Sequence, residues 1–338
     1  MKRQSGVLMH VSSLWGDYSI GSFGREAFEF VDFLYDSGFS VWQVLPFGMV
    51  DSYNSPYKSS ASFGANPYFI DLPTLHGEGY ITKEELDSAK QKTPYLCEFE
   101  RLANQRVELL FRAAHRALSD PATSRDVEDF LKDKPELLSV AKFLALSEKN
   151  NGKPWQRWAF EQPEPEKFAA WKFIQYEFYK QWLRVKTYAN EKGISIIGDL
   201  PIYVDLDSAD VWADPNLFLL DKDNMPRSVA GVPPDAFSAE GQLWGNPLYN
   251  WKEMKKDGYA WWKRRISHAL TLFDGIRIDH FRAIESYWSV PASAKSAKEG
   301  KWVKGPGRAL VDEIRSVAGD KLVIAEDLGV ITKEVESL

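Results

Sequence analysis

Cysteine is nearly absent: Cys97 stands alone among 338 residues. No internal disulfide can form, and a cysteine-rich zinc site is excluded. Long apolar runs are missing as well. After Lys2 and Arg3, the run "GVLM" is stopped by His10 and is too short for a signal-peptide core. No stretch approaches the length of a membrane span. No G-x-G-x-x-G follows a strand pattern and no G-x-x-x-x-G-K-[ST] occurs, so nucleotide cofactors have no motif to hold them. Histidine is scarce, with five residues and no H-x-x-x-H pair, which leaves metal ligation without support. Positive charge is not in excess. Lys and Arg number 42 against 48 Asp and Glu, a net charge of −6. That argues against a nucleic-acid partner and against a polybasic membrane anchor. The expectation from these absences is a cytoplasmic protein that needs no cofactor, metal, nucleic acid or membrane.

What the chain has in abundance is aromatic side chains: 13 Trp, 14 Tyr and 20 Phe. Most belong in a core, and some can line a groove, because a ring offers a ligand an apolar face and, in Tyr and Trp, a polar edge. The hydrophobic share of 44% suffices for one large barrel or two ordinary domains.

Five short apolar runs end in Gly, Pro or a polar cluster and read as strands: "GVLMHV" (6–11), "VWQVLPFG" (41–48), "ISIIGDLP" (194–201), "DGIRIDH" (274–280) and "KLVIAEDLG" (321–329). Being apolar on both faces, they are expected to be covered on both sides. Helical patterns lie between them. Residues 25–38 put Ala27, Phe28, Val31, Phe33, Leu34 and Tyr35 near one stripe and stop at Gly38. Residues 167–193 form a long aromatic-rich helix, and 251–273 a third in which Gly258 weakens the first half. Strands alternating with helices predict an α/β fold with a parallel sheet, a (β/α)8 TIM barrel with a largely helical insertion between its second and third strands. The expected division is 1–48 for the first barrel strands and helix, 49–193 for an active-site loop plus the helical insertion, and 194–338 for the barrel continuation.

Each later strand ends in chemically able residues: Asp199, then Arg277, Asp279 and His280, then Glu326 and Asp327. Polar groups gathered at C-terminal strand ends mark the active face of such a barrel, although a doubly wound sheet would also put ligands there. Arg277 and Asp279 are two residues apart, about 6–7 Å on one strand face. Arg277 is expected to keep Asp279 ionised as a nucleophile, and partial burial to raise Glu326 towards the range of a general acid. Asp327 would point to the opposite side. Two unlike carboxylates across a pocket are the parts of a glycosidic-bond enzyme. The same residues also fit a buried ion pair with Glu326 capping the next segment, and both readings stand at this level. His280 fits a hydrogen-bond donor to a ligand hydroxyl.

The stretches "GIRIDHFR" (275–282), "IAEDLG" (324–329), "IGDLPIYV" (197–204), "NSPYKSSASFGANPYFIDL" (54–72) and "VPPDAFSAEGQLWGNPLYNW" (232–251) resemble the 4-α-glucanotransferases known as amylomaltases or disproportionating enzymes, a branch of the α-amylase clan. The resemblance runs along the whole chain in the family's order. It implies a retaining transglycosylase. Such an enzyme cuts an α-1,4 bond in a maltooligosaccharide or starch-type donor and passes the glycosyl part to the 4-hydroxyl of glucose or another glucan. In that likeness Asp279 matches the nucleophile and Glu326 the acid/base. Arg277, His280 and Asp199 match groups around the donor sugar, and Tyr57 the ring beneath it. Residues 232–251 match a flexible loop over the site, with Asp235, Phe237, Gln242 and Trp244 as glucan contacts. The family's third carboxylate, in a histidine–aspartate motif of a later strand, has no counterpart before Leu338. The chain is therefore expected to be an incomplete barrel, poorly soluble and inactive by itself. A hydrolase of the same clan and an inactive glucan-binding fragment are the alternatives.

Overall fold

The computed structural model of the chain describes residues 3–50, 53–236, 238–329 and 331–338. All five expected parallel strands are present, each shorter than its apolar run. They are β1 (Gly6–Leu8), β2 (Val41–Gln43), β3 (Ser195–Leu200), and two more considered below. Contacts divide the chain into two units: Met1–Pro56 with Phe63–Gly198, and Tyr57–Ser62 with Asp199–Leu338.

In the first unit β1 pairs in parallel with β2, and β2 with the start of β3. A Cβ at Gly6 would lie 2.5 Å from the Val41 carbonyl oxygen, so only glycine lets β1 approach this closely. Residues 49–193 are mostly helical, as expected, and three of their helices begin with proline: Pro121–Leu131, Pro135–Lys149 and Pro165–Glu191. Proline suits a first turn because its missing N–H has no intrahelical partner there in any case. The helix Pro165–Glu191 ends before Gly193, whose φ is +74°. It buries Phe178 and Trp182 against Phe23 and Phe47, with Trp182 also on Trp42. Two amides on the same helix reach loop backbone. Gln175 Oε1 accepts from Ala65 N at 3.0 Å, and Gln181 Oε1 accepts from Asp71 N at 2.7 Å. Buried N–H groups outside regular structure are satisfied in this way.

The helix Arg25–Asp36 buries Ala27, Phe30, Val31 and Leu34. Phe33 and Tyr35, placed in the apolar stripe by the sequence pattern, are 53% and 56% exposed. The 27–30/31–34 spacing defines the buried face, and Phe33 and Tyr35 fall outside it.

The second unit contains β4 (Ser228–Val232), β5 (Gln242–Pro247), β6 (Gly275–Ile278), β7 (Ser286–Pro291), β8 (Lys301–Lys304) and β9 (Leu322–Ala325). β6 and β9 are the remaining parallel strands, paired from Gly275↔Leu322 to Ile278↔Ala325. The other four form an antiparallel sheet in the order β5–β4–β7–β8, which the sequence pattern does not reveal. Gly231, Pro233 and Gly245 interrupt its alternation, and β4 meets β5 across a bulge between Val229 and Gly231. The expected loop 232–251 is therefore partly strand, because Gln242 and Trp244 lie on β5. The expected helix 251–273 is two helices, Trp251–Lys256 and Ala260–Leu272, separated where Gly258 and Tyr259 take φ of +65° and +55°. β6 is nearly fully buried. On β9, however, Leu322 and Ile324 are 38% and 36% exposed, against the expectation of a strand covered on both sides.

Replacing Trp182 by Ala is expected to cost about 3–5 kcal/mol of stability, whereas Phe33→Ala should change it by less than about 0.5 kcal/mol. Denaturant unfolding of both variants checks the assignment of inner and outer faces.

Candidate active site

The strand ends of the second unit converge on one guanidinium. Arg277 lies on β6, and its Nη1 donates to both carboxylate oxygens of Asp199 at 2.8 Å. The same nitrogen is 3.0 Å from Asp279 Oδ1, and Nη2 is 3.3 Å from Glu326 Oε1. Asp199 comes from the end of β3. Asp279 is the first residue past β6, and Glu326 the first past β9. The backbone fixes each of them. Asp279 N donates to Leu200 O at 2.9 Å, and Glu326 N to Ile278 O at 3.2 Å. The parallel ladder thus runs on for one more residue and delivers side chains to a common point.

A fourth contact comes from far away in sequence. The Tyr57 hydroxyl donates to Asp199 Oδ2 at 2.7 Å. Burial and the neighbouring Asp199 push the Tyr57 phenol well above its usual range. Burial also raises Asp199, with Tyr57 and Arg277 pulling in the other direction. Burial opposes the charge on Arg277, but the three carboxylates outweigh it and raise the guanidinium further.

Asp279 departs from the sequence expectation. Arg277 is indeed its neighbour, yet the carboxyl is pushed up to about 6. Burial is the largest cause, followed by the charges of Glu326 and Asp199, and Arg277 offsets only part. Three carboxylates around a single cation cannot all be compensated.

His280 turns the chain out of β6 with φ of +51°, a left-handed conformation in which histidine is tolerated better than most residues. The turn aims its backbone N–H at Glu326 Oε2, to which it donates. Its ring stands edge-on to Trp244 with centroids 4.8 Å apart. Burial, reinforced by the charge of Arg282, lowers the imidazole to about 4, so it is neutral near pH 7. Its Nε2 is buried without a hydrogen-bond partner among the described residues. A buried polar atom in that state is costly unless something else supplies a partner.

A cavity of about 260 Å³ opens on this cluster, lined by Tyr57, Lys58, Pro201, Ile202, Tyr203, Trp244, Asn246 and Asp279. The structure therefore brings together Tyr57, Asp199, Arg277, Asp279, His280, Glu326 and Trp244. Gln242 is tied to Trp244, whose Nε1 donates to its Oε1 at 3.0 Å. Asp235 sits in the turn of the 233–241 connection, accepting from Ser238 N at 2.7 Å. Neither Asp235 nor Gln242 lines the cavity. Phe237 lies outside the described residues. Lys58, Tyr203 and Asn246 line the cavity without having been singled out, although all three lie inside the motif stretches. Asn246 Nδ2 donates to Val204 O at 2.9 Å, which presents that side chain at the rim. Among the described residues no group of three or more His, Cys, Asp or Glu is disposed to hold a metal ion. No helix among them is long and apolar enough to cross a membrane.

Comparison with known proteins gives a consistent result. Residues 9–338 match the glycoside hydrolase 77 family, described as 4-alpha-glucanotransferase. A 4-alpha-glucanotransferase of Clostridium butyricum is 42% identical over 343 residues, covering 96% of this chain and 70% of the relative. That of Aquifex aeolicus is 43% identical over 352 residues, covering 99% and 71%. Among solved structures, the amylomaltase from Streptococcus agalactiae in complex with acarbose superposes with a TM-score of 0.95 at 40% identity, over 99% of this chain and 71% of that one.

The raised Asp279 makes a prediction about stability. Between the ordinary carboxylate value and about pH 6 the folded protein holds a proton that the unfolded chain has released. The stability this confers is complete at low pH and is lost as pH rises through 6. Asp279→Asn removes the charge, so the variant should be the more stable one at pH 7.5, by up to about 3 kcal/mol. The difference should shrink towards pH 4.5, as followed by thermal unfolding at the two values.

Proposed function

Because the chain belongs to the 4-alpha-glucanotransferase family, it transfers α-1,4-glucan segments between glucans, and we propose that Asp279 is the nucleophile of this transfer and Glu326 its acid/base. The observation that carries the assignment is the contact of one guanidinium, Arg277, with Asp199, Asp279 and Glu326 together.

In the first half-reaction an Asp279 oxygen attacks C1 of the donor sugar. The C1–O4 bond breaks, and Glu326 gives its proton to the departing O4. The glycosyl group is left as an ester on Asp279. In the second half-reaction the 4-hydroxyl of a glucose or glucan acceptor attacks C1, Glu326 takes its proton, and Asp279 leaves. Two inversions at C1 give net retention. Asp199, braced by Tyr57 and Arg277, receives hydroxyls of the same sugar. The unpartnered Nε2 of His280 takes one more, and that bond supplies the partner it lacks. Trp244 offers its ring to the sugar on the leaving side. Asp235 and Phe237 of the connection between β4 and β5, and Gln242 at the start of β5, are the further glucan contacts of this reading. Closing them over bound glucan excludes water and favours a sugar acceptor.

The same reading needs no metal or cofactor, since carboxylates perform both proton and group transfer. Net charge of −6 fits a neutral glucan partner better than a nucleic acid. The free, exposed Cys97 fits action in the cytoplasm.

Incubation of the natural protein with maltotriose should give glucose together with chains longer than three units, resolved by chromatography. Products no longer than maltose would mean hydrolysis and would overturn transfer. Asp279→Asn should reduce transfer on the order of a thousandfold or more. The nucleophile must be ionised, so kcat/KM should fall about tenfold per pH unit below about pH 6. An acid limb near pH 4 would instead place the titration on another group.

A further inference from the structure

The segment Tyr57–Ser62 associates with residues 199–338 rather than with its own sequence neighbours. Several contacts hold it there. Ser62 N donates to Asp210 Oδ2 at 2.7 Å, and Ser62 Oγ donates to Asp210 Oδ1. Ala209 N donates to Ser60 O at 2.8 Å, and Lys58 Nζ lies 3.7 Å from Asp205 Oδ2. The Ser59 hydroxyl closes on Ala61 O at 3.0 Å within the segment. At its other end, the Tyr57 hydroxyl reaches Asp199.

Asp210 is the unusual member. It is 5% exposed, and no cation among the described residues is within ion-pair distance of its carboxylate. Arg265 acts on it only through space, since that guanidinium donates to the carbonyls of Pro201 and Ile202. Burial raises Asp210 above the usual carboxylate value. A buried carboxylate without a paired cation is costly, and removing its hydrogen bonds costs more. Both of its oxygens are spent on one residue, Ser62. Ser208 caps the short helix Ala209–Ala213, accepting from Val211 N, which fixes where Asp210 stands. What the anchor secures is the stretch that begins with Tyr57.

We propose that Asp210 is a positioning residue of the transfer reaction: through Ser62 it sets the path of residues 57–62 so that Tyr57 stands against Asp199 in the sugar site. The inference rests on the reading of that site given above. Asp210 itself does not line the cavity, and its effect passes through Tyr57.

The test is a double-mutant cycle in the natural protein. Ser62→Ala removes one donor and leaves the backbone N–H, so it is the variant most certain to fold. Asp210→Asn keeps an acceptor for Ser62 N, and Asp210→Ala removes both. Each is made alone and with Tyr57→Ala, and kcat, KM and the melting temperature are measured with maltotriose. Ser62→Ala should lower kcat/KM about tenfold, with KM carrying part of the loss, and Asp210→Ala should lower it further. Asp210→Asn should recover most of the activity. In the Tyr57→Ala background the Ser62 effect should fall below twofold, because the group it positions is gone. Equal losses in both backgrounds, or a lower melting temperature with unchanged kcat and KM, would overturn the proposal. Binding of maltotriose to the Asp279→Asn protein, read by calorimetry through the same cycle, separates the two claims. Coupled binding losses without turnover in the parent would keep the positioning role and remove the catalytic reading. No binding and no turnover in the parent would overturn both.

Discussion

One guanidinium organises the site. Arg277 touches Asp199, Asp279 and Glu326, which arrive from three different strand ends. Without a cation, three acids at this spacing would repel one another when ionised. With it the repulsion is only partly offset, and together with burial it shows on Asp279, raised to about 6. The protein holds this arrangement because the acids are not on loose side chains. Asp279 and Glu326 are hooked by their own backbone N–H groups onto Leu200 and Ile278. The site is therefore the continuation of a parallel ladder past the point where the strands end.

Much of this was legible in the chain itself. The five parallel strands follow from apolar runs bounded by Gly and Pro, and Asp199, Arg277, Asp279 and Glu326 stand at their ends. The antiparallel sheet was not legible. Its strands carry Gly231, Gly245 and Pro247, residues that read as turns until a bulge and a cross-strand partner account for them. Phe33 and Tyr35 misled in the opposite way, since apolar side chains on a helix need not lie on its buried face. The charge state of Asp279 was out of reach as well. Arg277 is visible two residues away, but the burial that outweighs it depends on the fold. The Tyr57–Asp199 bond joins residues 142 positions apart, and no local pattern encodes it.

Both units brace loop backbone with buried polar groups. In the first, Gln175 and Gln181 lend neutral amides to loop backbone under a long helix, and the buried Arg106 donates to the carbonyls of Tyr18, Tyr68 and Ile70. In the second, charged groups are buried: Asp210 beneath the Tyr57 segment, and Arg265 between Trp261 and Trp262 with its donors on Pro201 and Ile202. Those two carbonyls belong to residues that line the cavity. Ionic groups are the more expensive way to brace a backbone, and Arg265 does so beneath two residues of the cavity wall.

The split between β5 and the 233–241 connection has an evolutionary side. Trp244 lies on β5, which pairs with β4, and its ring stands edge-on to His280. Connections of this kind accept insertions and deletions far more readily than ladders do. The strand that carries Trp244 and the connection before it can thus vary separately. Lineages are free to change the length of that connection while inheriting β5 unchanged.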